Sequence, residues 1–189
     1  MVNINHSNLT DPYLHEPKGV ASATSGKVYV SDGSGSGDWT QPNYQINGYV
    51  DFDATTPAYQ HSVTTSFTAL NPTFLVTLAD GFTGTSTPNA RLVYTGTDTI
   101  ISDCSFACNF RNNSGSSKTL ELVFYKNGAL MNGGHVIVTA VSGEWRSVVL
   151  NDLVSLSTND YVEIFIKAQT TAFTLDVATA SLIMKGVPA

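Results

Sequence analysis

The chain has 189 residues, 42% of them hydrophobic and only 13% charged, with a formal net charge of −6. This length fits one domain, or one domain with an appendage, and the composition argues against a disordered chain. The nine Lys and Arg are scattered without a run, which excludes a nucleic-acid-binding stripe, and no apolar segment approaches the roughly 18 residues of a membrane span.

The charged fraction is about half the usual ~25%. Thr, Ser, Asn and Gly take its place, a balance that suits β-structure with many turns and an uncharged polar surface. The N-terminus, "MVNINHSNLTDPYL", lacks the charged-then-apolar pattern of a signal peptide, so folding in a cytosol is expected. "NHS", "NLT" and "NNS" match the glycosylation pattern but carry no meaning without secretion.

In chain order, residues 1–43 form a first section. Pro12, Pro17 and its glycines rule out regular helix. "DPY" and "EPKG" read as turns, "KVYV" as a short strand-like run, and "DGSGSGD" as a glycine-serine turn. Leu9, Tyr13, Leu14, Val20, Val28, Tyr29, Val30 and Trp39 are spaced too widely to collapse on one another. Such an arm needs another surface against which to bury them.

The pattern changes near residue 44. "YQINGYVDF", "QHSVTTSFTAL" and "TFLVTL" are short, Thr-rich and aromatic, each ended by turn residues. "RLVYTG" leads into the clearest strand, "ISDCSFACNFRNN". There Cys104, Phe106, Cys108 and Phe110 alternate with Ser105, Ala107, Asn109 and Arg111. In "TLELVFYKNG", Leu120, Leu122 and Phe124 share one face and Glu121, Val123 and Tyr125 the other, and "KNG" starts a turn. "GGHVIVTAV", "EWRSVVLNDLVSL", "DYVEIFIKA" and "FTLDVATASLIMK" complete the series, with "NDLVSLSTND" read as a loop between strands. No segment has a period of 3.6. Strand-length runs with turns every roughly 8 to 12 residues predict an all-β sandwich or barrel over residues 44–189.

Val123, Tyr125 and Phe165 fall on faces that should be wet, which predicts a subunit interface there. Cys104 and Cys108 share a strand face about 13 Å apart, too far for a disulfide, and read as buried thiols.

The chemistry-bearing residues do not assemble into a site. His6, His15, His61 and His135 occupy four segments with no metal-ligand spacing and read as surface or interface residues. Asp32, Ser34, Ser36 and Gly37 imitate the start of an EF-hand loop. Its closing glutamate is replaced by Asn43, so a flexible turn is the better reading. No GxSxG occurs, and Asp51 with Asp53 forms a carboxylate pair without a partner across a cleft. Trp39 and Trp145 offer ring faces on which a sugar could stack. For Trp145, packing at a strand start is the simpler role. No catalytic residue, metal or cofactor is expected.

"YTGTDT" before a long alternating strand, then "LVFYKNG", then "LNDLVSLSTNDYVEIFIKA" and a closing strand resembles the C1q/TNF-like jelly roll of bacteriophage structural proteins. The resemblance covers roughly residues 44–187, and "KNG" followed by "NDYVEIFI" is its most specific element. The segment "DPYLHEPKGVASATSGKVYVSDGSGSGDW" is similar to the N-terminal segment of phage head decoration, cement and head-fibre proteins.

The resemblance implies a jelly-roll β-sandwich preceded by an extended N-terminal arm at 1–43. It further implies a homotrimer on the capsid exterior, made in the host cytoplasm, whose arms attach to the major capsid protein. Within the arm, Leu9, Tyr13, Leu14, His15, Lys18, Val28, Tyr29 and Trp39 are the expected capsid contacts. Val123, Tyr125 and Phe165 become the expected trimer contacts. The rival expectation is a fibre head whose loops, such as "DGFTGTSTPNA", bind a host receptor or surface glycan; a carbohydrate-active accessory module is the remote third.

Overall fold

The structure, a computed structural model, describes residues 26–34, 37–40, 45–54, 58–85 and 91–188. The chain divides into two compact units, 1–43 and 44–189.

The described part of the first unit is one antiparallel hairpin, β1 (Val28–Ser31) with β2 (Gly37–Thr40). Its turn is held locally: the Asp32 carboxylate accepts from the Ser34 amide at 2.7 Å, and the Ser31 hydroxyl from the Gly33 amide at 3.2 Å. Gly37 is required here, because a Cβ at that position would lie 2.2 Å from the Val30 carbonyl oxygen.

The second unit is all-β. Its strands are β3 (Ile46–Asp53), β4 (Tyr59–Val63), β5 (Thr68–Ala69), β6 (Leu75–Asp80), β7 (Phe82–Thr85), β8 (Arg91–Tyr94) and β9 (Ile100–Asn112). They continue with β10 (Lys118–Lys126), β11 (Ala129–Ala140), β12 (Trp145–Leu156), β13 (Tyr161–Ala168) and β14 (Phe173–Pro188). Two six-stranded antiparallel sheets result. One, the β9 sheet, runs β12-β9-β14-β3-β6 with β4 also on β14. The other, the β10 sheet, runs β11-β10-β13-β8-β7 with β5 also on β13.

The pairing is nested. First pairs with last (β3 with β14), then β8 with β13, β9 with β12, and β10 with β11 at the centre. A long antiparallel ribbon wound into two facing sheets is a jelly roll, the form of β-sandwich that the resemblance implies.

The centre of the ribbon is set by "KNG". Asn127 and Gly128 have φ of 51° and 76°, the two left-handed residues of a primed hairpin turn. Its sequence companion "NDY" lies against it: the Asn127 amide group donates to Asp160 at 2.6 Å, and the Tyr161 amide donates back to the Asn127 side-chain oxygen at 2.9 Å. Lys126 closes the cluster with an ion pair to Asp160 at 2.8 Å. Burial pushes the Asp160 carboxyl up, but the bonds from Lys126, Ser157 and Asn127 outweigh it and hold it below the ordinary value. The two motifs therefore belong to one locked corner joining β10 to β13.

The core lies between the sheets. Phe74, Phe106, Phe110, Phe124, Leu92, Ile100, Leu120, Leu122 and Ile164 are fully enclosed there. Cys104 and Cys108 line the inner face of β9 as free thiols, and burial pushes both up to about 12. Three readings are corrected. "NDLVSL" is not a loop but the second half of β12, in register with β9 to Leu156↔Ile100. "QHSVTTSFTAL" breaks at Thr64–Phe67 into β4 and β5, which join opposite sheets. The start of "DGFTGTSTPNA" is strand β7, and residues 86–90 of it lie outside the described residues.

Candidate functional site

Among the described residues no three His, Cys, Asp or Glu side chains come together as a metal site. What the structure offers instead is a set of surfaces.

On the hairpin, Tyr29 and Trp39 pair directly and their rings meet edge to face at 5.4 Å. These two arm residues do collapse on each other, contrary to the spacing argument, because the turn folds the chain back. An aromatic pair of this kind contributes about 0.5–1.5 kcal/mol beyond its area. A lone two-stranded hairpin is still marginal in water. Val28 (44%) and Val30 (50%) remain exposed. Leu9, Tyr13, Leu14, His15 and Lys18 lie outside the described residues.

On the outer face of the β10 sheet, Val123 pairs with Phe165 and Tyr125 with Glu163. Tyr125 and Phe165 stack at 3.9 Å, and Phe67, brought over by the bend after β4, meets Tyr125 edge to face at 5.9 Å. Lys167 caps the Phe67 ring at 4.3 Å and pairs with Glu121 at 3.0 Å. The patch is therefore covered by its own chain. Val123, expected to be wet, is 1% exposed. The sequence signal that it missed is Phe67, which no strand period connects to this face.

The outer face of the β9 sheet is different. Register places in successive rows across it Tyr49–Ile183–Ser105–Asn151, then Asp51–Ser181–Ala107–Val149, then Asp53–Thr179–Asn109–Ser147. The middle strands thus carry small side chains and form a depression of about 380 Å³. Along edge strand β12 stand Trp145, Val149 and Leu153, the last 68% exposed. Along the opposite edge strand β6, Leu75 is 67% exposed and Leu78 47%. Ile101 and Val187 continue the apolar surface at one end. At the other end Trp145 begins β12, as expected, with the Arg111 guanidinium 5.0 Å from its ring centre. Arg111 pairs with Asp176 at 2.7 Å. Burial pushes that carboxyl up, but the bonds from Arg111, Asn113 and Gln60 outweigh it and hold it down. Two buried polar atoms of this face, Asn109 Oδ1 and Arg111 Nε, have no partner. Asp51 accepts from the Thr77 hydroxyl and belongs to the depression wall, with no opposing acid across a cleft.

Of the histidines, His135 is exposed and 3.1 Å from Glu121. His61, expected at a surface or interface, is instead a core residue, 7% exposed, with Nε2 3.3 Å from the Thr68 hydroxyl. Burial lowers it to about 4. In the unfolded chain it would titrate near 6.5. Between these values the unfolded state binds more protons, so stability rises with pH and is lost as pH falls from about 6.5 to about 4. The loss reaches about 3 kcal/mol at full protonation. Chemical denaturation between about pH 6.5 and 5, above the range where the held-down carboxylates contribute, should show the slope in the wild type and a much shallower one in His61→Leu; equal slopes would contradict the assignment.

No family model and no curated protein matches the sequence. Among solved structures, the chain is similar to Eiger TNF from S. frugiperda, at 10% identity and a TM-score of 0.49 over 77% of this chain and 92% of that one. It is similar to the PRD1 vertex protein P5, at 10% identity and a TM-score of 0.48 over 76% and 97%.

Proposed function

We propose that the chain is a bacteriophage virion structural protein, a homotrimer that decorates the capsid exterior and attaches to the major capsid protein through residues 1–43. The observation that carries this reading is the outer face of the β9 sheet. Val149, Leu153, Leu75, Leu78, Ile101 and Val187 are exposed together there, among hydroxyl and amide side chains. An apolar patch of this kind marks a protein–protein surface. The work is mechanical: contact area added across capsid seams, with no reaction and no cofactor.

The sequence resemblance of the arm and the separate hairpin unit support the attachment role. Ordering an arm costs about 1–2 kcal/mol per residue in backbone entropy, so one arm binds weakly. Three arms on one trimer raise the effective concentration of each at the capsid and make attachment durable.

Purified chain mixed with expanded, emptied heads should cosediment in many copies per head and raise the temperature at which heads rupture. Attachment to host cells without binding to heads would overturn this and favour the receptor- or glycan-binding fibre head.

A further inference from the structure

The dipeptide Asn-Gly occurs three times, at Asn47–Gly48, Asn127–Gly128 and Asn132–Gly133. In this pairing an asparagine side chain is most open to attack by its own backbone, because glycine has no side chain to block the approach of its amide nitrogen. We infer that Asn132 is a self-modification site: in the folded protein it converts, without an enzyme, to aspartate and isoaspartate, while Asn47 and Asn127 are protected.

The step needs only water. The Gly133 amide nitrogen gives up its proton and bonds to the carbonyl carbon of the Asn132 side chain. The bond from that carbon to the side-chain nitrogen breaks, and ammonia leaves with the proton. Water then opens the cyclic imide, its hydroxyl going to one carbonyl carbon and its proton to the ring nitrogen. Opening at the side-chain carbonyl gives aspartate. Opening at the main-chain carbonyl gives isoaspartate, whose backbone is longer by a methylene.

To react, the side chain must swing onto the backbone and the next amide must be free of its ladder. Asn47 and Gly48 are pinned on both sides of β3, by Lys185 and Met184 of β14 and by Asp80 and Ala79 of β6. Asn127 has both ends of its side-chain amide bound, donating to Asp160 at 2.6 Å and accepting from the Tyr161 amide at 2.9 Å. Asn132 has neither restraint. It is exposed, and among the described residues its side chain has no hydrogen-bond partner. The β10–β11 register passes from Tyr125↔Leu130 to Val123↔His135, so residues 131–134 bulge opposite Phe124 without strand partners of their own. Gly134 follows with a φ of 55°, and two glycines in a row leave this backbone pliant.

The product falls at the seam between the sheets. A Cβ at Gly133 would lie 2.8 Å from Asp152 Oδ2, so the backbone there is already pressed against a carboxylate of β12. A new negative charge one residue away repels that carboxylate. The protein thus accumulates acidic copies with age, each more negative by one than the formal −6 of the fresh chain.

The test holds the full chain folded in mildly alkaline buffer, digests samples at low pH over time and maps the peptides by mass and retention. The Asn132 peptide should convert at least about tenfold faster than the Asn47 and Asn127 peptides, with isoaspartate among its products. In denaturant the three should convert at similar rates. Asn132→Gln lengthens an exposed side chain and closes only a larger, slower ring, so it should remove most of the acidic species seen on ion exchange of the intact chain. Equal rates at the three sites in the folded chain, or the same preference for Asn132 in denaturant, would overturn the inference. Acidic species undiminished in Asn132→Gln would overturn it as well.

Discussion

Replacing Asn112 by leucine is expected to lower the midpoint of thermal unfolding by about 10 °C, although the two side chains share the same branched shape. Asn112 ends β9 and is fully buried. Its side-chain nitrogen donates to the Ser116 carbonyl at 2.8 Å and the Ala140 carbonyl at 2.9 Å. Its oxygen accepts from the Ser114 amide at 2.8 Å and the Ser114 hydroxyl at 2.7 Å. One amide thus holds the β9–β10 turn and ties it to the end of β11. Leucine removes all four bonds and leaves the Ala140 carbonyl facing an apolar group. Each buried group so orphaned costs about 1–3 kcal/mol, and the solvent-exposed Ser116 carbonyl can recover water. A total of about 3–4 kcal/mol corresponds to about 10 °C in a domain of this size. Scanning calorimetry of the two chains reads it directly. A shift below about 2 °C would mean that the turn does not depend on this residue.

Asn112 also shows where reading a sequence stops. The strand containing it was legible, because Cys104, Phe106, Cys108 and Phe110 alternate with polar residues over a long run, and β9 is the strand so predicted. The turn at Asn127–Gly128 was legible for a local reason, since few residues tolerate left-handed backbone. The fate of Asn112 depends on Ala140, 28 positions away. Nothing local marks a polar residue as the tie between two turns. His61 is hidden for the same reason: "YQHSV" does not say which of its faces looks inward.

The interaction surfaces divide in the same way. Alternation places Tyr125 and Phe165 on an outward face correctly, but not the covering by Phe67, which crosses from another segment. The apolar row of β12 was obscured because the second half of the strand resembles a polar loop, "NDLVSLSTND". Once β12 is seen to run from Trp145 to Leu156, the spacing of Trp145, Val149 and Leu153 by four puts all three on one face. The small residues of the depression carry no signal alone; they matter because register brings β14 and β9 side by side.

Removing residues 1–43 is the second change expected to have a large effect, and it separates the two parts of the account. The remaining unit contains every strand of both sheets and the whole core between them. It also keeps the exposed outer face of the β9 sheet, so its assembly should not change. It loses the Tyr29–Trp39 hairpin and everything before it, so capsid attachment should fall at least about a hundredfold, as expected when three linked contacts vanish together. The most direct measurement is sedimentation of residues 44–189, alone and with emptied heads. The account predicts a three-chain particle that stays in the supernatant when the heads pellet. A single-chain particle, or one that pellets with the heads as fully as the intact protein, would contradict it.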